Sequence, residues 1–242
     1  MARPYRGSAM PFRFPIALEL TGRRCVVVGG GTEAERKARS LLEAGATVAV
    51  MAETVTAGLS DLARRGDLEH VARPYRWGDL DGAFLVMAAA GDKATTAAVF
   101  AEAEAGRVLC NSVDDIAHCH FAVPSVVRRG ELLLAISTGG RAPALAKRLR
   151  RRLTAQLGWE YAALVDILGD VRAETLPHRP AEFHLWARRW AELLDDEEAL
   201  VALVAAGRLD ELRARIRSYL EGRVEVALNA SITSAQASGS SR

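Results

Sequence analysis

This sequence lacks the features of a disulfide-stabilised protein, a membrane protein or a protein that binds nucleic acid through excess charge. Its three cysteines, Cys25, Cys110 and Cys119, are odd in number and form no C-x-x-C pair, which argues against a disulfide framework. The longest apolar run, at 83–90, is far shorter than the roughly twenty residues that span a bilayer. The formal net charge is only +2, which gives no bias toward nucleic acid. We therefore expect a soluble, cytoplasmic protein with no nucleic-acid or membrane partner.

The most informative stretch joins a short apolar strand, Cys25 to Val28, to a helix through three successive glycines. Gly29, Gly31 and Ala34 match the G-x-G-x-x-G/A pattern of dinucleotide-binding turns. In that pattern the first glycine allows the tight turn, the second lets the backbone approach a pyrophosphate, and the small third residue lets the helix pack on the strand. A second strand follows, and Glu53 just beyond it stands where an acidic side chain accepts the ribose hydroxyls of NAD. The combination predicts NAD as cofactor.

Strand and helix patterns alternate over residues 24–111, which predicts α/β architecture with a Rossmann-type doubly wound parallel sheet. Two strand-like runs, 121–127 and 132–137, then have the spacing of a hairpin, which indicates a small α+β region. The pattern over 142–221 is helical, which predicts a helical C-terminal domain. The predicted divisions are a leader at 1–11, a nucleotide-binding domain at 12–113, a hairpin and helix region at 114–150, a helical domain at 151–222 and a disordered tail at 223–242.

The segment after the last parallel strand carries candidate chemistry. Ligands of open parallel sheets bind beyond the carboxyl ends of the strands, so Asp114 and Asp115 are expected near the nicotinamide. One carboxylate could act as a general base, but an aspartate before such a segment more often caps the next turn, and the pattern by itself favours the cap. His118 and His120 could bind a metal ion only with ligands from elsewhere. A surface pair, or a pair that contacts substrate, is the favoured interpretation.

A second loop offers features of an anion site. Ser137 and Thr138 precede two glycines and Arg141, and Pro143 follows in the first turn of a helix. Hydroxyls, backbone N–H groups and a guanidinium in this arrangement suit a phosphate or a polycarboxylate. The basic residues farther along the helix, 150–152, are interpreted as a solvated face.

Four motifs in this order resemble the precorrin-2 dehydrogenase family, the enzymes of sirohaem synthesis that also form the N-terminal half of sirohaem synthase. They are Val26-Val-Val-Gly-Gly-Gly31 with Glu35-Arg-Lys37, Asn111-Ser-Val-Asp114, Pro124-Ser-Val-Val-Arg-Arg-Gly130, and Ala135-Ile-Ser-Thr-Gly-Gly140. The resemblance implies NAD-dependent oxidation of precorrin-2, a tetrapyrrole, to sirohydrochlorin. It also implies an intertwined homodimer in which the hairpin and helices form the dimerisation region, with the macrocycle bound between that region and the nucleotide domain.

The resemblance further implies roles for single residues. The aspartate of the Asn-x-Val-Asp motif, here Asp114, is the catalytic residue, and in members that insert iron it is tied to that activity too, so ferrous iron is a second candidate substrate. The implied nucleotide contacts are Gly29, Gly31, Thr32, Glu33, Glu53 and Thr54. Ser137 and Thr138 would line the tetrapyrrole site, beside Arg141, and no metal cofactor is expected. An NAD-binding sensor module and a chelatase with a vestigial cofactor site are the alternative hypotheses.

Overall fold

The computed structural model describes residues 14–178 and 183–221. The predicted leader and tail lie outside these residues. The chain divides into two compact units, one ending at Val123 and the other beginning at Pro124. The finer boundaries after residues 113 and 150 stay predictions. No helix among the described residues is long and apolar enough to cross a membrane.

The first unit is built on a parallel sheet whose strands alternate with helices. Its elements in chain order are β1 (Arg24–Val28), α1 (Thr32–Glu43), β2 (Thr47–Met51), α2 (Ala57–Arg64), β3 (Glu69–Val71), β4 (Leu85–Ala88), α3 (Lys93–Gly106) and β5 (Leu109–Ser112). The strands pair in the order β3-β2-β1-β4-β5, which is the order of a doubly wound nucleotide-binding sheet. Every residue of β4 is buried, as expected for a parallel strand that is covered on both faces.

Small side chains let the helices of this unit approach the sheet closely. Ala34 and Ala38 of α1 are fully buried against one face, and Ala103 of α3 is fully buried against the other. The last strand does not begin directly after α3. Arg107, the C-cap of α3, has a left-handed φ of 54°, and the chain becomes extended only at Leu109. The strand β5 therefore ends at Ser112, at the carboxyl end of the sheet.

The second unit combines a β-hairpin with five helices among the described residues. Its elements are β6 (Ser125–Arg129), β7 (Leu132–Ile136), α4 (Pro143–Gln156), α5 (Glu160–Thr175), α6 (Phe183–Leu194), α7 (Glu197–Ala205) and α8 (Leu209–Leu220). The two strands are antiparallel and turn at Gly130, whose φ is 56°. Val127 is buried on the hairpin face that packs against α4, whereas Val126 and Leu133 are exposed on the opposite face. The helices α5 to α8 enclose a separate core that includes Ile167 and Leu212.

Candidate functional site

The glycine turn between β1 and α1 is held by close backbone contacts on two sides. Gly29 has a φ of 126°, and a Cβ there would lie 2.2 Å from the carbonyl oxygen of Ala89. A Cβ at Gly30 would lie 1.8 Å from the carbonyl oxygen of Thr54. Real Cβ atoms do not approach other atoms this closely, so side chains are excluded at both positions. Glycine therefore lets the turn contact the loops that follow β2 and β4.

Gly31, the third glycine, faces open space instead. A Cβ built there meets no atom within 4 Å, and φ and ψ of −81° and −175° suit any residue. Gly31 is the N-cap of α1 and makes no side-chain cap. The N-cap residue therefore offers no side-chain acceptor to the first backbone N–H groups of the helix. Open space, uncapped amides and the positive end of a helix fit the pyrophosphate of a dinucleotide.

The other predicted nucleotide contacts lie around this turn. Glu53 and Thr54 are exposed directly after β2, and Thr32 is exposed at the start of α1. Glu33 follows it and accepts a hydrogen bond from Nε of Arg36 at 2.9 Å. This hydrogen bond holds the pKa of Glu33 below its usual range. Among these predicted contacts, Thr54 touches the glycine turn directly, because its carbonyl oxygen lies against Gly30.

The two aspartates after β5 have different surroundings. Oδ2 of Asp115 lies 2.7 Å from Nδ1 of His118, and Asp115 makes no side-chain cap to the 3₁₀ turn Ile116–His118 that follows it. The capping interpretation is therefore wrong, because the carboxylate pairs with the imidazole instead. Asp114 is exposed, and its carboxylate accepts no hydrogen bond from the described residues. Its backbone has a left-handed φ of 57°, a conformation in which aspartate is enriched.

Lys37 is a site residue to which the sequence patterns assigned no role. Its side chain is buried, at 6% exposure, and Nζ donates to Oδ1 of Asn111 at 3.4 Å. Burial and then the nearby charge of Arg36 lower the pKa of Lys37, whereas the carboxylates of Glu33 and Asp114 act in the opposite direction. The helical spacing in the sequence could have indicated that Lys37 is buried. It lies three residues after Ala34 and four before the buried Leu41, on the inner face of α1.

The two histidines flank one aromatic ring. The ring centroid of Phe100 lies 5.1 Å from that of His118 and 5.0 Å from that of His120. Nδ1 of His120 accepts the backbone N–H of Cys110 at 3.0 Å, and its Nε2 contacts a carboxylate oxygen of Glu104. Within the described part of the chain, no three His, Cys, Asp or Glu side chains come together in a way that could hold a metal ion.

The loop before α4, in the second unit, is shaped by its own hydroxyl groups. Oγ of Ser137 accepts the N–H of Gly139 at 3.1 Å, and Oγ1 of Thr138 accepts the N–H of Ala142 at 3.2 Å. A hydroxyl that accepts one hydrogen bond still has its own O–H to donate. Ser137 and Arg141 are exposed. The loop can therefore offer hydroxyl donors and a guanidinium to an anionic group.

Two family models match consecutive parts of the chain. Residues 16–125 match the family described as "Putative NAD(P)-binding", and residues 129–156 match the family described as "Sirohaem biosynthesis protein central". The first match covers the sheet with its glycine turn, and the second covers β7 and α4. They confirm the predicted nucleotide-binding unit and its cofactor class.

Curated relatives and a solved structure agree with these matches. The siroheme synthase of Photobacterium profundum is 36% identical over 202 residues, which are 84% of this chain and 42% of that protein. The siroheme synthase of Chromobacterium violaceum is 43% identical over 182 residues, 75% of this chain and 38% of that protein. The chain thus spans about two-fifths of the length of these relatives. A solved structure named SirC, precorrin-2 dehydrogenase, matches with a TM-score of 0.65 and 27% identity, over 86% of this chain and 100% of that one, which confirms the predicted fold class.

Proposed function

Because this chain belongs to the family of the siroheme synthases and precorrin-2 dehydrogenases, we propose that it oxidises precorrin-2 to sirohydrochlorin with NAD. The observation that carries the proposal is the open space at Gly31, before the uncapped end of α1, in the unit that also holds Asp114. A dinucleotide turn and an exposed carboxylate beyond the end of another strand of the same sheet are what a dehydrogenase of this type requires.

In this reaction the macrocycle loses a hydride and a proton. The nicotinamide cofactor supplies the hydride acceptor. The glycine turn and α1 would hold the pyrophosphate, and Glu53 would accept the ribose hydroxyls. Asp114 receives the proton, because its carboxylate accepts no hydrogen bond from the described residues and is exposed to the space beyond β5. The buried ammonium of Lys37 holds Asn111, three residues before Asp114.

The loop of Ser137, Thr138 and Arg141 is our candidate for binding the substrate's carboxylates. Precorrin-2 carries many of these groups, and exposed hydroxyl and guanidinium donors are suited to them. Replacing the guanidinium by Arg141→Ala should raise the KM for precorrin-2 by about tenfold, as expected for a lost charge-assisted hydrogen bond. The Kd for NADH, from a fluorescence titration, should stay the same. An equal loss of both affinities would count against a carboxylate contact.

We also propose that the protein acts as a homodimer through the hairpin. The exposed face of β6 and β7 carries Val126 and Leu133, at 36% and 41% exposure, and a two-stranded sheet by itself is marginally stable in water. In α4 only Ala146 is buried. A second copy that covers these surfaces would account for their apolar residues.

The deciding experiment supplies the purified protein with NAD and enzymatically generated precorrin-2, anaerobically and without metal. We expect NADH to appear together with sirohydrochlorin, each followed by its absorbance. Ferrous iron added afterwards tests whether this chain also makes sirohaem. If NADH binds but no oxidation occurs, the dehydrogenase proposal is wrong, and a sensor module or a chelatase with a vestigial cofactor site takes its place.

A further inference from the structure

A carboxylate of the chain already lies at the positive end of α2. Oε2 of Glu35, on α1, accepts the hydroxyl of Thr56 at 2.5 Å, and Thr56 is the N-cap of α2. A Cβ at Gly58 would lie 2.0 Å from Oε1 of Glu35, so the carboxylate lies directly against the first turn of this helix. The hydrogen bonds from Thr56 and then from Arg39 hold the pKa of Glu35 below its usual range. It is therefore negatively charged near neutral pH.

The same loop borders the nucleotide turn on its other side. The N–H of Thr56 donates to the carbonyl oxygen of Gly30 at 3.0 Å, and the carbonyl oxygen of Thr54 packs against Gly30. The loop that carries Glu53 thus joins the glycine turn to the carboxylate of Glu35. This is the region where the adenine ribose of a dinucleotide is expected.

NADP differs from NAD by a phosphate on that ribose, and proteins that use NADP commonly place an arginine beside it. The two arginines of α1 are both paired with carboxylates of the same helix. Arg36 donates to Glu33, and Arg39 donates from Nε at 3.0 Å and from a terminal nitrogen at 2.7 Å to Oε1 of Glu35. The positive end of α2, which could also hold a phosphate, faces Glu35.

We propose that Glu35 is a second determinant of the preference for NAD over NADP, beside Glu53, which is already assigned to the ribose hydroxyls. The proposal rests on the dinucleotide binding proposed above, and not on the identity of the oxidised substrate. Glu35 is a specificity residue because it repels the 2′-phosphate and occupies Arg39 and the N-terminus of α2, which could otherwise bind that phosphate.

The test is a titration of the purified protein with NADH and with NADPH, followed by cofactor fluorescence. Glu35→Gln keeps the size of the side chain and an acceptor for Thr56, but removes the charge and releases Arg39. We expect the Kd for NADPH to fall by about fivefold or more while that for NADH stays within about twofold. Glu35→Asp, which keeps the charge, should keep the preference for NADH. Glu43→Gln makes the same charge change at an exposed site of α1 and should alter neither Kd.

A parallel change of both Kd values in Glu35→Gln, or no change for NADPH, would overturn the proposal. The unmodified protein gives a second test that needs no variant. The ratio of the Kd for NADPH to that for NADH should fall between about 20 mM and about 300 mM salt, because salt screens the repulsion. A ratio that stays constant or rises with salt contradicts the proposal. Binding of NADH without oxidation of precorrin-2 would count against the proposed function alone, whereas no binding of either dinucleotide would overturn both.

Discussion

At the scale of single residues, the neighbouring Asp114 and Asp115 are distinguished by their partners. Asp115 is paired with His118, which fixes its carboxylate against the chain. Asp114 is exposed on a left-handed turn and accepts no hydrogen bond from the described residues. A group that is to take up a proton from a substrate must be accessible and must lack a competing internal partner. Asp114 meets both conditions and Asp115 does not.

Asp114→Asn should therefore lower kcat for precorrin-2 oxidation by roughly 10²–10⁴-fold, the range typical of general-base removal. Asparagine also tolerates a left-handed backbone, so the Kd for NADH and the melting temperature should not change. Steady-state NADH formation and a fluorescence titration measure the two effects separately. Asp115→Asn keeps an acceptor for His118 and serves as the adjacent control, with little effect expected. Full turnover in Asp114→Asn would exclude Asp114 as the base.

Lys37→Met should make the protein more stable near neutral pH. Burial lowers the pKa of Lys37 from 10.5, so between the lowered pKa and 10.5 the unfolded chain binds more protons than the folded one. The free energy of unfolding therefore rises with pH through that window. Methionine has a similar volume and no charge, and we expect a gain of about 1 kcal/mol at pH 7 that shrinks as the pH approaches 10.5. Urea unfolding at a series of pH values measures the difference in the free energy of unfolding between the two proteins. A loss of stability at pH 7 would show that the contacts of the Lys37 ammonium outweigh the cost of burying it.

These residues also show what a sequence can and cannot predict. The turn conformation at Gly29 and the close packing of Ala34 were predicted from the sequence, because both belong to one strand-turn-helix segment. The role of Gly31 toward the pyrophosphate stays a prediction. The partner of Lys37 was not predicted, because Asn111 is 74 residues away along the chain. The pairing of Asp115 with His118 was missed for a different reason. A carboxylate three residues before an imidazole can cap the turn or bind the ring, and only the geometry of the turn decides.

At the scale of elements, two adjacent residues of the glycine turn have different functions. Gly30 packs against the loop after β2, whereas Gly31 faces open space. The first contact concerns the fold of the unit, and the second concerns the dinucleotide. Substitution by alanine at each position can therefore distinguish stability from cofactor binding within a single turn.

Gly31→Ala should weaken NADH binding by about tenfold or more, because its methyl group would occupy the space assigned to the pyrophosphate. Its melting temperature should not change, since the backbone there suits alanine. Gly30→Ala should lower the melting temperature by several degrees, roughly 4 °C or more per kcal/mol lost in a unit of this size. Thermal unfolding and NADH fluorescence give the two readouts. Equal effects of both variants would mean that the turn does not divide these functions.

At the scale of the whole molecule, the hairpin face is the surface through which we propose that two copies of the chain associate. Leu133 lies there opposite Arg128 in the strand register. A glutamate at position 133 could pair with this arginine across the strands, so the hairpin itself should remain folded. A charge in the middle of an apolar interface would nonetheless be buried on dimerisation, which is costly.

Leu133→Glu should therefore shift the protein from dimer to monomer in sedimentation velocity at about 10 μM, since burying an unpaired carboxylate costs several kcal/mol. Leu176→Glu is the matched control, because Leu176 has a similar exposure of 37% and lies outside the hairpin. It should leave the dimer intact. A Leu133→Glu protein that stays dimeric would place the interface elsewhere.

The outer side of β5 shows how the first unit ends its sheet. The N–H of His120 donates to the carbonyl oxygen of Cys110 at 2.8 Å, and the N–H of Cys110 donates to Nδ1 of His120. The N–H of Ser112 is taken up by Sγ of Cys119 at 3.1 Å. The returning segment thus pairs backbone groups that an edge strand otherwise presents to neighbouring molecules. A chain in which this segment has returned no longer offers β5 as a template for edge-to-edge association, so Cys119 and His120 have a structural role at the edge of the sheet.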